Sequence, residues 1–193
     1  HKDIELNKIG FSSQRHRIEH AQVIASDDFK RFKELNIIAS MEPPHAVEDK
    51  AWAEDRLGPD RIQGAYAWRT LRKEAVPLTF NSDLPGSDHS IFYALHAAVT
   101  RRDKQALPSE GWYPKQSVTI EEAIRAYTNW AAYAAFRENE TGILKPGLWA
   151  DMTIMDIDPF KLADDSPEEL LSGKILMTVV NGKLVYTNPS ISE

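Results

Sequence analysis

The residues best suited to chemistry are a histidine in the run HRIEH at residues 16–20 and an aspartate in the run NSD at residues 81–83. Each run follows a short apolar, β-like stretch and precedes polar or Gly/Pro-containing sequence that leads toward a helix. Active sites of α/β folds lie at the carboxyl ends of strands. We therefore predict that His20 and Asp83 share one divalent metal ion, with Asp83 also accepting a proton from the activated water.

Simpler interpretations of both residues exist. A histidine beside an apolar strand is more often structural than a metal ligand. A Ser-Asp pair before Pro-Gly is also a common turn or helix cap. Catalytic zinc generally needs three protein ligands, so at least one further ligand is absent from the sequence or comes from another histidine, namely His1, His45, His89 or His96.

The remaining candidates would contact substrate or support the fold. His45 follows a strand candidate and two prolines, so it could face the same site and contact substrate, or could simply be solvated. Arg69 could line the substrate pocket together with Trp52 and Trp68, although a tryptophan at helical spacing is more often a core residue. We expect His96 to be structural and His89 to cap a helix.

The run HRIEH also matches the H-x-x-E-H pattern of inverted zinc peptidases, in which two histidines one helical turn apart bind zinc. That chemistry requires a helix. The β-branched residues Ile18, Val23 and Ile24 favour a strand here, and no downstream acidic residue in a clear helix supplies the third ligand. The peptidase stays the weaker alternative.

The pattern of elements indicates an α/β region followed by a small β module. Short apolar runs predict strands. In the segments between them, apolar residues at helical spacing and capping residues predict helices. A Thr-x-x-Glu capping box at residues 119–122 begins the clearest helix, and Asn-Gly at residues 181–182 favours a type I′ hairpin turn. We predict strands at 18–21, 37–41 and 76–80, helices at 28–35, 66–75, 90–102, 119–136 and 166–169, a long loop with a helical turn at 45–60, and β structure at 151–156 and 179–185.

Composition narrows the class of partner. The chain has 193 residues, of which 42% are hydrophobic and 27% charged, a normal balance for a globular protein. A net charge of −6 argues against nucleic-acid and membrane-surface binding, which need a basic face, so a small-molecule substrate is expected. The absence of cysteine excludes disulfides, thiolate metal ligands and a cysteine nucleophile. We expect a cytoplasmic protein.

Five runs together resemble the amidohydrolase superfamily, specifically the C-terminal part of its amidohydrolase-3 branch, which includes YtcJ-like proteins and N-substituted formamide deformylase. They occur in family order over nearly the whole chain: HRIEHAQ at 16–22, IASMEPPH at 38–45, RLGP at 56–59, SD at 82–83 and GILKPGLWAD at 142–151. Asn81 departs from the family's usual glycine before Ser-Asp and is expected to narrow the pocket. Ile143 replaces a small polar residue, a change we expect to be harmless.

The resemblance implies an α/β fold, a metal-dependent (β/α)8 barrel with a small β-sandwich. His20 would correspond to the metal-binding histidine after the sixth strand, and Asp83 to the metal ligand and general base after the eighth. Residues 1–140 would form about three βα units of the barrel, and residues 141–193 would form strands of the sandwich. The implied reaction is hydrolysis of non-peptide C–N bonds in amides, formamides or cyclic amides, with one or two divalent ions, zinc first among them.

Other parts of the family's site have no counterpart here. The His-x-His after the first strand, the carboxylated lysine and the fifth-strand histidine are absent, and His1 lacks the sequence expected after the last of these. A whole barrel takes about 250 residues. We therefore predict a C-terminal fragment that alone is inactive and binds metal weakly or not at all. Its open sheet edges predict self-association or pairing with the missing segment. A catalytically inert domain that only assembles is the alternative.

Overall fold

Three parallel strands form the centre of the first part of the molecule. The computed structural model describes residues 14–191. Strands β1 (Arg17–Glu19), β2 (Ile38–Met41) and β3 (Leu78–Phe80) lie side by side in the order β1-β2-β3. Because all three run in the same direction, their carboxyl ends meet at one edge of the sheet. The α/β character predicted for this region is confirmed.

The register brings the ends of these strands level. Glu19 pairs with Ser40, which pairs in turn with Thr79. All residues of β2 and β3 are buried, whereas all three residues of β1 are exposed at the edge of the sheet. A continuous apolar run is the pattern expected of a parallel strand covered on both faces, and it explains why the sequence located β2 and β3 closely.

The first connection is a strand, helix, strand unit, as predicted. Helix α1 (Asp28–Glu34) begins one residue after Asp27 and buries Phe29 and Phe32. The predicted helix at residues 28–35 is therefore confirmed. The side chain of Asp27, at the N-cap position, makes no capping hydrogen bond.

The prediction of a long loop with one helical turn at residues 45–60 is wrong, because most of this segment is helical. Two helices, α2 (Pro43–Asp49) and α3 (Ala53–Arg61), occupy this segment. The two prolines that suggested a break instead start α2. Proline is tolerated there because the backbone N–H groups at the first positions of a helix have no hydrogen-bond acceptor within the helix. Gly58, with φ of 72°, puts a kink inside α3, which explains the irregular appearance of the sequence there.

Four further helices follow, and three of them pack against β3. The four helices are α4 (Trp68–Lys73), α5 (Ile91–Thr100), α6 (Ile120–Tyr127) and α7 (Asn129–Ala134). The Thr119–Glu122 capping box is present, and Ser90 caps α5 by accepting from the backbone N–H of Tyr93. The helix predicted at residues 119–136 is broken at Thr128, whose φ of −122° and ψ of −96° are not helical. Within residues 14–191, no helix is both long and apolar enough to cross a membrane.

The core lies between the sheet and these helices. Trp68 is fully buried, and its ring meets the ring of Phe80 edge-on at 5.5 Å between centroids. The guanidinium of Arg101 lies 4.3 Å above the Trp68 ring. Arg101 is also fully buried and donates to the backbone oxygens of Trp112 and Tyr66 at 2.8 and 3.1 Å. These contacts hold the start of α4 against the end of β3.

A second, antiparallel sheet follows. It contains β4 (Met152–Met155), β5 (Ile175–Val180) and β6 (Lys183–Thr187) in that order. Asn181 and Gly182 both have positive φ, as the predicted type I′ turn requires. Helix α8 (Pro159–Asp165), which the sequence did not predict, and the short 3-10 helix at Pro167–Ser172 connect β4 to β5.

The structural role predicted for His96 leads to a pH test. His96 is fully buried on α5, and its Nδ1 donates to the backbone oxygen of Pro167 at 2.9 Å. Burial lowers the pKa of His96 from 6.5, so below that pH the unfolded chain binds a proton that the folded chain resists. Stability should therefore be unaffected by this group above about pH 6.5 and should fall as the pH drops below it.

We expect the urea midpoint to fall on going from about pH 7.5 to about pH 5.5. The His96→Asn variant, which keeps an N–H donor for Pro167, should show a smaller fall. Urea unfolding followed by circular dichroism at both pH values measures this difference. The same pH dependence in the two proteins would contradict the prediction.

Candidate metal site

Each of three polar side chains follows one strand of the parallel sheet. His20 comes directly after β1, His45 lies in the first turn of α2 after β2, and Asp83 lies three residues after β3. His20 and Asp83 have φ of 67° and 50°. Non-glycine residues seldom adopt this left-handed backbone, and such residues occur preferentially at functional sites. The strand ends thus bring all three residues to one edge of the sheet.

The three side chains form one cluster. One ligand atom from each of His20, His45 and Asp83 lies within 4.8 Å of the other two. Nε2 of His45 is 3.7 Å from Oδ2 of Asp83. The rings of His20 and His45 stack with their centroids 5.8 Å apart and an angle of 18° between planes. The side chains of His20 and Asp83 are 45% and 42% exposed, so the cluster is open to solvent and to a small molecule.

The donor set fits a divalent cation. Two imidazoles and one carboxylate are a common protein ligand set for catalytic zinc. Exposed acidic residues often lie together without binding metal. Here, however, two of the three donors are imidazole nitrogens, which bind transition metals in preference to calcium or magnesium. His20, His45 and Asp83 would therefore hold such an ion together.

A buried carboxylate lies behind the two histidines. Glu42 is 2% exposed, and its Oε2 is 3.1 Å from Nδ1 of His20 and 3.3 Å from Nδ1 of His45. The first contact is a hydrogen bond. The second is close enough for an ion pair, but the buried His45 nitrogen does not point along the hydrogen-bond axis. The interaction with Glu42 is the largest cause of the raised pKa of His45, which burial opposes and which Asp83 and Asp49 also favour.

Asn81 connects this carboxylate to the third member of the cluster. Its Nδ2 donates to Oε1 of Glu42 at 2.7 Å and to Oγ of Ser40 at 3.1 Å. Its Oδ1 accepts from the backbone N–H of Asp83 at 2.8 Å, and its backbone oxygen accepts from the hydroxyl of Tyr127 at 3.3 Å. The residue predicted only to narrow the pocket therefore fixes the backbone that carries Asp83.

Asp49, at the end of α2, binds two polar side chains from other segments, Tyr66 and Gln22. The hydroxyl of Tyr66 donates to Oδ2 of Asp49, one turn after His45, and Nε2 of Gln22 lies 3.5 Å from the same oxygen. Burial, followed by the hydrogen bond to Asp49, raises the pKa of Tyr66, so this hydroxyl keeps its proton at neutral pH. These contacts anchor α2 to the segment that follows β1.

The structure places the other predicted site residues elsewhere. Arg69 pairs with Glu122, with Nη2 to Oε2 at 2.7 Å, and donates from Nε to the backbone oxygen of Ser117 at 3.1 Å. Its assignment to substrate binding stays a prediction. His96 and Trp68 are core residues, Trp52 is 43% exposed, and His89 is exposed. His1 lies outside the described residues.

The inverted zinc-peptidase interpretation of HRIEH is wrong. Residues Arg17–Glu19 form a β-strand, so His16 and His20 are not separated by one turn of a helix, as that motif requires. His20 instead joins His45, which lies on a different strand connection. Sequence reasoning missed Glu42 altogether, although an acidic residue directly after a mainly apolar strand candidate was a usable sign.

Comparison with known proteins identifies the family of the chain. The model described as "Amidohydrolase family" matches residues 4–186. The chain belongs to the amidohydrolase family. Putative amidohydrolase YtcJ of Bacillus subtilis (strain 168) is 31% identical over 170 residues, which are 88% of this chain and 32% of that protein. N-substituted formamide deformylase of Arthrobacter pascens is 29% identical over 174 residues, 88% of this chain and 30% of that protein.

A solved structure of a metal-dependent hydrolase shares the fold. An uncharacterized metal-dependent hydrolase from Pyrococcus horikoshii OT3 superposes with a TM-score of 0.67 at 28% identity. The match covers 82% of this chain and 32% of that one. This chain therefore spans about a third of the length of the amidohydrolases that it matches.

Proposed function

We propose that this chain is the C-terminal part of a metal-dependent amidohydrolase that cleaves non-peptide C–N bonds in amides, formamides or cyclic amides. Residues 1–140 would complete a (β/α)8 barrel with preceding sequence, and residues 141–193 would contribute strands to a β-sandwich. The observation that carries the proposal is the meeting of His20, His45 and Asp83 at the carboxyl ends of three adjacent parallel strands. In barrel enzymes, that end of the sheet holds the catalytic residues.

The roles of the residues follow from their positions. A divalent ion, zinc by our proposal, would activate water at neutral pH and polarise the scissile carbonyl group. His20 and His45 would hold this ion through their Nε2 atoms, since their Nδ1 atoms face Glu42. Asp83 is exposed and 3.7 Å from Nε2 of His45, so its carboxylate can bind the ion, accept a proton and deliver that proton to the leaving nitrogen.

The likeness to relatives supports the class of bond. The formamide deformylase of Arthrobacter pascens is named for removing a formyl group from nitrogen, and the same kind of bond is our proposed target. Residues 14–191 supply one strand-end cluster, formed by His20, His45 and Asp83. We therefore propose that turnover requires the longer protein, in which preceding residues add further ligands and pocket walls.

The test measures metal content and amide turnover together in the longer protein that contains this chain. Replacing His20 with alanine removes one imidazole donor, so we expect the variant to lose most of its bound metal after dialysis and, with it, hydrolysis of an N-substituted formamide. Metal is measured by mass spectrometry, and turnover by formate release. His89→Ala, which removes an exposed histidine outside the cluster, is the matched control and should keep both.

Two results would point elsewhere. Full turnover with His20→Ala would refute the metal-dependent mechanism at this site. Absence of both metal and turnover in the unaltered longer protein would favour the alternative, an inert domain that functions only in assembly. Stoichiometric zinc on the isolated 193-residue chain would contradict the proposal that the site is incomplete without preceding residues.

A further inference from the structure

Glu42 contacts two of the three proposed ligands, His20 and His45, and also Asn81. It follows β2, is nearly inaccessible to solvent and lies next to the Nδ1 atoms of both histidines. One of its oxygens faces Nδ1 of His20 and Nδ1 of His45, and the other accepts from Asn81. Because its own position is buried and remote from the open face of the cluster, Glu42 is placed to support the ligands rather than to meet the substrate.

The identity of these neighbours dictates where the histidine protons reside. An ionised carboxylate only accepts hydrogen bonds, so the neutral His20 ring, which is hydrogen-bonded to it, must carry its proton on Nδ1. At His45 the contact of 3.3 Å is not a hydrogen bond, but the negative oxygen attracts a proton on Nδ1 and repels a lone pair there, which favours the same tautomer. The Nε2 atom of each ring then keeps its lone pair. Which nitrogen of a histidine can bind metal is set in this way by the hydrogen bond that the other nitrogen makes.

We infer that Glu42 is a positioning residue that fixes His20 and His45 together in the Nδ1–H tautomer and, through Asn81, ties both rings to the backbone of Asp83. A single buried carboxylate thereby sets the proton location on two ligands from different strands. The consequence for the metal rests on the proposed function, whereas the tautomers are a property of the chain itself.

The contacts of Asn81 explain how one carboxylate can orient three side chains. The amide nitrogen of Asn81 takes up the second oxygen of Glu42, which leaves the first oxygen for the histidines. The amide oxygen of Asn81 holds the N–H of Asp83. Rotation of the Glu42 carboxylate would break the hydrogen bond from Asn81, so the carboxylate has one favourable orientation. In that orientation it faces His20, His45 and Asn81 at once.

The test reads the tautomers directly in the full 193-residue chain without added metal. Two-bond 1H–15N correlation spectra, recorded at a pH where the rings are neutral, distinguish Nδ1–H from Nε2–H for each histidine. We expect His20 and His45 to show the Nδ1–H pattern. In Glu42→Leu, which keeps bulk but removes both acceptor oxygens, we expect both rings to lose that pattern in favour of the Nε2–H form or a mixture.

Glu42→Gln guards against a leucine variant that fails to fold. Glutamine nearly preserves the shape but leaves one acceptor oxygen for three donors, so at least one of the two rings should change tautomer. Two other histidines serve as internal references in every spectrum. His96, whose Nδ1 donates to Pro167, should keep the Nδ1–H pattern throughout, and the exposed His89 should not respond.

The outcomes separate cleanly. Nε2–H patterns for His20 and His45 in the unaltered chain, or Nδ1–H patterns that persist at both rings in a folded Glu42 variant, would overturn the inference. Loss of the pattern at these two rings alone supports it. Since neither metal nor substrate is present, failure of the proposed amide hydrolysis would not change this result, and failure of the tautomer test would not by itself remove hydrolysis.

Discussion

Replacing Asp83 with asparagine is expected to lower amide turnover by about 10²- to 10⁴-fold in the longer protein that contains this chain. Asparagine has nearly the same size, and its backbone N–H can still donate to Asn81, as that of Asp83 does at 2.8 Å. It lacks the negative charge and cannot accept a proton at neutral pH. The variant therefore removes the proposed base with little change in the fold. Steady-state kinetics, with metal content measured in the same samples, check the prediction.

The metal measurement tells which of the two proposed roles of Asp83 dominates. Retained metal with lost turnover would indicate proton transfer, whereas loss of both would indicate ligation. Glu48→Gln is the matched control, because it removes an exposed carboxylate from α2 outside the three-residue cluster, and its turnover should stay near that of the unaltered protein. Asp83→Asn with full turnover would contradict any catalytic role for the carboxylate.

Much of the site framework could be predicted from local sequence. The apolar runs before His20 and Asp83 are short and end in polar or turn-forming residues. This pattern is typical of parallel strands with active-site residues at their carboxyl ends. The capping box at Thr119 and the Asn181-Gly182 turn are likewise local, since each depends on atoms a few residues apart. Local hydrogen bonding decides such features before tertiary contacts form.

The parts that the sequence did not yield depend on contacts between distant segments. Whether His45 joins the cluster depends on α2 starting at Pro43, whereas the local sequence indicates only that the strand ends at the two prolines. Glu42 gains its importance only because His20 and Asn81 approach it from the neighbouring strands. Nothing in the residues near Glu42 along the chain specifies those partners.

Long-range pairing also fixes the edge of the sheet. Arg15, just before β1, donates to both carboxylate oxygens of Glu138 at 2.5 and 2.9 Å, and its guanidinium lies 3.7 Å from the ring centroid of Tyr133. This pairing joins residues more than a hundred positions apart. It anchors β1, whose own residues are exposed, and so helps to place His20 at the level of the other two strand ends.

Replacing Trp68 with alanine is expected to destabilise the chain by about 3–5 kcal/mol, the usual cost of removing a fully buried large aromatic side chain. Trp68 is 0% exposed and contacts both Phe80 and the buried guanidinium of Arg101. The cavity would remove packing from the last residue of β3 and the aromatic face from a cation that has little access to water. Urea unfolding followed by circular dichroism measures the change in free energy.

Trp52→Ala is the matched control, because it deletes the same side chain from a site that is 43% exposed. There the ring lies beside the guanidinium of Arg56 at 5.0 Å, an exposed cation–π contact worth about 0.5–1 kcal/mol. The two variants thus differ mainly in burial. Equal losses of stability would show that the region around Trp68 does not form the packed support of β3, and the placement of Asp83 would then need another cause. A large loss confined to Trp68→Ala would locate that support beneath the strand that carries the proposed base.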